Sequence, residues 1–173
     1  MKPRNPFDGV PLRARDTIAT PLGPMIALAT AQGLTALLFG SDKHYQGPFD
    51  AVPRVADDPH VQAARRWLAR YWAGGDPAPD LPHLDLHGTP FQRAVWQVLL
   101  RIPPGRTWTY GEVAAAVAAG AAPRATGSAI GRNPVAVIVP CHRVVGASGS
   151  LTGYAGGLPR KERLLQHEGV LLT

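Results

Sequence analysis

With 173 residues, 45% of them hydrophobic and 17% charged, the chain is long enough for one large domain or two small ones around their own cores. It contains no apolar run long enough to span a bilayer, and the basic start Met1-Lys2-Pro3-Arg4-Asn5-Pro6 leads into no apolar signal-peptide stretch, so residence in the cytoplasm is expected. A single cysteine excludes intrachain disulfides, CxxC redox chemistry and Cys-rich zinc sites, and nothing in the sequence calls for a cofactor or a resident metal.

The N-terminal half, residues 1–86, reads as a small supporting α/β domain. It carries 9 Lys/Arg and 9 Asp/Glu and is therefore neutral. Pro24–Thr30 and Leu34–Phe39 are strand-like runs separated by Ala31-Gln32-Gly33, which predicts a β-hairpin. Val61–Trp72 has helical spacing, with apolar residues at 61, 64, 68 and 71–72. Gly74-Gly75-Asp76-Pro77-Ala78-Pro79-Asp80 breaks the pattern and is expected to begin a linker. His44, His60, His83 and His87 are scattered and read as surface residues.

Residues 87–173 carry the whole net charge of +6, with 9 Lys/Arg against Glu112, Glu162 and Glu168. Such asymmetry suits a polyanionic partner, although a solvated basic face would look the same. Thr89-Pro90-Phe91-Gln92 has Thr as N-cap, Pro at the first helical position and Gln at the third, a capping box. Phe91, Val95, Val98, Leu99 and Ile102 form an apolar stripe, and Pro103-Pro104-Gly105 ends the helix. Thr109-Tyr110-Gly111-Glu112 is a second capping box, opening a helix expected to stop near Gly120. After a short turn, Pro123 starts a third helix through Arg124, Gly127 and Ser128, closed by Asn133-Pro134. Helix, Gly-containing turn, short helix fits a helix-turn-helix, and equally an αα-hairpin used for packing. A second helix rich in small residues lets a backbone approach DNA, and its N-terminus favours phosphates. The fold expected for the whole chain is α+β, with the helical, winged-helix-like half carrying the cysteine.

That cysteine follows Val137-Ile138-Val139-Pro140, read as a short buried strand, and precedes His142 and Arg143. Neighbouring cations lower a thiol's pKa and so favour the nucleophilic thiolate. A small buried hydrophobe is the plainer reading of Cys141. Leu158–Gly169 reads as a helix with Gly as its stop, and Glu168 falls on the same face as Leu164 and Leu165. A carboxylate there opposes the helix dipole and is poorly placed for burial. Either it snorkels at the helix end or it marks a functional site, where local rules tend to fail.

Pro140-Cys141-His142-Arg143, preceded by Gly131-Arg132-Asn133-Pro134, resembles the O6-alkylguanine-DNA alkyltransferase family, also called methylated-DNA–protein-cysteine methyltransferase. Ile102-Pro103-Pro104-Gly105-Arg106-Thr107, Thr109–Ala114 and the tail Gly153-Tyr154-Ala155-Gly156-Gly157-Leu158…Lys161-Glu162…Leu165…His167-Glu168-Gly169 add to the likeness, which is dense from Thr89 to Val170. The resemblance implies stoichiometric repair of alkylated duplex DNA by a monomer, with Cys141 taking the alkyl group from O6 of guanine and less generally from O4 of thymine. It implies that His142 forms the thiolate through a water, that Glu168 orients the imidazole, and that Asn133 links the turn to the helix-turn-helix. Tyr110 would touch the guanine and the flipped nucleotide's phosphate, and Arg124 would enter the stack from the minor groove. Val144 and Ala155 would line the alkyl pocket with Lys161 close by. Gly127, Ser128, Arg132, Arg143, Tyr154 and Gly156 complete the expected DNA and substrate contacts.

The chain departs from the family in places. Ala155 stands where members often carry Ser, which removes one possible hydrogen bond to the base. The metal-binding N-terminal Cys/His set of some members and the zinc-bound domain of the fused regulator form are both absent. Two other readings compete. A lesion sensor would lack the nucleophile, and Cys141 speaks against it. A turning-over cysteine hydrolase would use the same Cys141, His142 and Glu168.

Overall fold

The computed structural model describes residues 6–45 and 47–170. The chain divides into two compact units, Met1–His87 and Gly88–Thr173.

In the first unit the expected hairpin is present. β2 (Met25–Ala29) and β3 (Leu34–Phe39) are antiparallel, with Leu28 opposite Ala36. A strand not foreseen from the sequence, β1 (Ala14–Ile18), pairs antiparallel with β2, giving the order β1-β2-β3. Its inward set is Ala14, Asp16 and Ile18, and the aspartate disguises the alternation. Asp16 is buried against Arg54 and Arg65. Burial alone would raise its carboxyl, but Arg54, the Thr17 amide and Arg65 outweigh that and hold it below the ordinary range.

One face of the sheet packs Leu28, Ala36 and Leu38 against Phe7, Tyr45 and Phe49. Helix α1 (Pro59–Trp72), capped by the Asp58 side chain, also packs on the sheet. The strand residues of opposite parity are buried too, which is why β2 and β3 read as continuous apolar runs. The segment expected to begin a linker instead folds back on its own unit. The Gly74 and Gly75 amides bond to Tyr71 and Arg70, Ala78–Asp80 is a 3-10 turn, and Leu84 bridges to Leu34.

The second unit begins with α2 (Pro90–Leu99), whose Thr89/Gln92 capping box is complete. Trp96, fully buried, donates from its indole to the Ala129 carbonyl at 2.9 Å and ties α2 to α4 (Pro123–Gly131). β4 (Trp108–Thr109) runs into α3 (Tyr110–Val117) through the second capping box. α3 stops at Val117 rather than near Gly120, so the link to α4 runs from Ala118 to Ala122. β4 pairs in parallel with β5 (Val144–Val145), and α5 (Leu158–His167) ends on Glu168, with Gly169 in the left-handed region.

The strand predicted at Val137–Val139 is not formed. Residues 133–140 are a buried turn instead, in which Val139 N donates to Val135 O and Ile138 N to Ala136 O. Asn133 clamps it, with Nδ2 donating to Val139 O at 2.8 Å and Oδ1 accepting from Val135 N at 2.9 Å. Val137 sits at φ 72°. A left-handed β-branched residue costs on the order of 1–3 kcal/mol and persists only where its surroundings over-determine it. Full burial and the Asn133 clamp do so here. An apolar run with turn on both sides gives no periodicity by which strand and buried turn can be told apart.

Candidate active site

The clamped turn delivers Pro140 into a 3-10 turn, Cys141–Arg143. On a strand Cys141 and His142 would face opposite sides. Three residues per turn instead rotates neighbours by roughly 120°, so the turn supplies the bend that adjacency demands. All three side chains are buried, Cys141 being 8% exposed and His142 0%.

Glu168 closes the arrangement from the end of α5. Its side chain is 2% exposed, so it does not snorkel. One carboxylate oxygen lies 2.7 Å from His142 Nε2 and 3.0 Å from Arg143 Nη2, and the other accepts from Arg143 Nε at 2.7 Å. Arg143 spends Nη1 on the Ile102 carbonyl at 2.6 Å. Burial would raise the Glu168 carboxyl, but His142 and Arg143 together hold it at about 2. An ionised carboxylate only accepts, so His142 Nε2 carries the hydrogen. Burial, which leads, and the charges of Arg143 and Lys161 push the imidazole below its usual range despite Glu168. His142 is therefore the neutral Nε2–H tautomer, with Nδ1 left as the base nitrogen. Nδ1 is buried and takes no hydrogen bond from the described residues.

The other predicted site residues fall into two groups. Arg124, Ser128 and Arg132 are exposed on α4 and its C-terminal end, and Tyr110 and Gly127 are half-buried beside each other. The Tyr110 ring lies over Gly127, where a Cβ would meet it at 3.7 Å, and its hydroxyl donates to the Thr152 carbonyl at 2.8 Å. Arg143, Val144, Tyr154, Gly156 and Lys161 are instead buried, and Ala155 is half-buried. Arg143 and Lys161 thus belong to the frame of the site, not to a surface that meets a duplex. Lys161 is fully enclosed and donates to the carbonyls of Val144, Thr152 and Gly153. Asn133 spends its amide on the backbone and acts by positioning the turn. Arg143 is the second partner of Glu168, a role not expected from the sequence. Its place directly after His142 was the available sign.

The described residues contain no group of His, Cys, Asp and Glu that could hold a metal, and no helix long and apolar enough to cross a membrane.

The 6-O-methylguanine DNA methyltransferase, DNA binding domain family matches residues 90–170. A methylated-DNA–protein-cysteine methyltransferase of Salmonella typhimurium is 43% identical over 168 residues, covering 91% of this chain and 96% of the relative. The chain belongs to this family. A further member, from Methanosarcina acetivorans, is 43% identical over 150 residues, 87% of this chain and 94% of its own. A crystal structure of Mycobacterium tuberculosis OGT in complex with DNA superposes with a TM-score of 0.78 at 42% identity, covering 90% of this chain and 93% of that one. An O6-methylguanine-DNA methyltransferase from the archaeon Pyrococcus kodakaraensis superposes at 0.63 with 25% identity, covering 91% and 99%. The mixed fold, with its small sheet and helical second unit, is the one these structures share.

Proposed function

We propose that the protein repairs O6-alkylguanine, and O4-alkylthymine less generally, in duplex DNA by moving the alkyl group to Cys141 once per chain. The observation that carries this reading is the buried Glu168–His142 pair, with Arg143 behind it, adjoining the single cysteine. Through a bridging water, Nδ1 of neutral His142 takes the thiol proton, and Glu168 and Arg143 hold the ring and offset the charge it gains. Thiolate sulfur then attacks the alkyl carbon. The S–C bond forms as the C–O6 bond breaks, and guanine leaves with a proton regained from His142. The thioether that remains has no easy leaving group, which makes the transfer single-turnover, whereas turnover of an ester or amide through a hydrolysable thioester would favour the hydrolase reading.

O6 is out of reach within a stacked duplex, so the base must be turned out. The exposed Arg124 near the start of α4 suits the part of the residue that fills the vacated stack, with Tyr110 beside it, and Ser128 and Arg132 suit phosphate contacts. The net charge of +6 in residues 87–173 supports DNA as their partner. The first unit then serves as support, and a monomer in the reducing cytoplasm would keep the thiol active.

Arg124→Ala separates flipping from chemistry. The expected result is a large loss of repair on duplex O6-methylguanine with near-normal transfer from free O6-benzylguanine, which needs no flipping. Equal loss on both substrates would remove Arg124 from the duplex and assign it to the fold.

A further inference from the structure

Lys161 is the buried charge that the transfer reaction leaves unused. Its side chain is fully enclosed, and an enclosed ammonium is tolerated only where other acceptors replace its water. Nζ donates to Val144 O at 2.6 Å, Thr152 O at 2.9 Å and Gly153 O at 3.1 Å. An ammonium has three donors, so all are spent. Val144 directly follows the turn that carries Cys141, whereas Thr152 and Gly153 belong to the loop leading to α5. Gly153 is at φ 56°, a left-handed conformation that suits glycine.

The Thr152 carbonyl has a second donor, the Tyr110 hydroxyl at 2.8 Å. One acceptor thus joins the first residue of α3 to the ammonium inside the site. From the 3-10 turn, Cys141 and His142 interact electrostatically with Lys161, and the Arg143–Glu168 pair lies beyond His142. Tyr110 is the titratable neighbour from α3. Burial brings Lys161 down to about 8, against the opposing pull of the Cys141 thiolate.

We propose that Lys161 is a positioning residue that couples DNA engagement to the charge state of Cys141 through the Thr152 carbonyl it shares with Tyr110. The proposal rests on the reading of Cys141 as alkyl acceptor and Tyr110 as a DNA contact. A carbonyl shared by two donors gives less to each. When the Tyr110 hydroxyl turns to a phosphate or a base, Thr152 O is left to the ammonium. Lys161 is then held protonated more firmly, and a fixed cation beside the thiol favours the thiolate. The DNA-free protein keeps a less ionised thiol, which spares its single cysteine from stray electrophiles.

The test needs no DNA. Tyr110→Phe keeps the ring and removes the donor, and the pH dependence of Cys141 alkylation by iodoacetamide reads the thiol. The expected result is a midpoint lower by about half a unit, a roughly threefold rise in thiolate below the midpoint. The Lys161 Cε titration followed by NMR should move upward in the same variant. In a Lys161→Met background the Tyr110→Phe shift should vanish. An unchanged midpoint in Tyr110→Phe, or a shift that survives Lys161→Met, would overturn the proposal. If Lys161→Met does not fold, the NMR titration decides, and an unmoved Lys161 overturns it equally. Failure of the repair reading would show elsewhere, as wild-type protein that takes no methyl group from an O6-methylguanine duplex.

Discussion

Glu168→Gln is expected to slow methyl transfer by ~10²–10⁴-fold, the usual cost of disabling a positioned general base, with affinity for lesion DNA nearly unchanged. Gln keeps the shape of the side chain but not the charge that makes His142 Nε2 a donor and Nδ1 the base. It also leaves Arg143 buried without its counter-ion, and breaking a buried pair of this kind costs about 3–5 kcal/mol. The acid side of the stability curve should change as well. The folded pKa of Glu168 is about 2, below its ordinary value of 4.5. Between these values the unfolded chain binds the proton more readily, so stability rises with pH. The contribution is complete above the ordinary value and is lost as pH falls toward 2. Thermal melts of wild type and Glu168→Gln should therefore differ most near neutral pH and converge on acidification. A folded Glu168→Gln with wild-type transfer rate would leave Glu168 a purely structural ion-pair partner.

Cys141→Ser should abolish transfer and retain binding to the lesion duplex. A serine hydroxyl has a far higher pKa than a thiol and is a much weaker nucleophile with the same base. Cys141 is 8% exposed and serine is slightly smaller, so the fold should hold, as circular dichroism would show. Residual transfer above the uncatalysed rate would mean that another group accepts the alkyl.

Local rules carried the sequence reading where local chemistry decides the structure. Both capping boxes could be read because Thr89 with Gln92, and Thr109 with Glu112, satisfy each other within one turn. Glu168 stood out because it violates the dipole and burial rules at its own position, and the violation is resolved by His142 and Arg143 from a distant turn. What stayed hidden depends on non-local partners. β1 was masked by Asp16, whose charge is answered by Arg54 and Arg65 far along the chain. The turn at 133–140 read as a strand because the Asn133 clamp and the left-handed Val137 have no composition of their own. The resemblance places Arg143 among the DNA and substrate contacts and Lys161 beside the alkyl pocket, and nothing in the sequence signals that both are enclosed. The carbonyls that enclose them, from Ile102, Val144, Thr152 and Gly153, are backbone groups to which no residue type points.

Irreversible transfer of one alkyl group to Cys141 per chain can be read by intact-protein mass spectrometry after incubation with excess duplex containing O6-methylguanine. The expected result is a mass increase of one methyl-for-hydrogen exchange, reaching one per chain and no further, and located on the peptide containing Cys141. Repaired lesions outnumbering protein chains, or a methyl group found on any other residue, would contradict it.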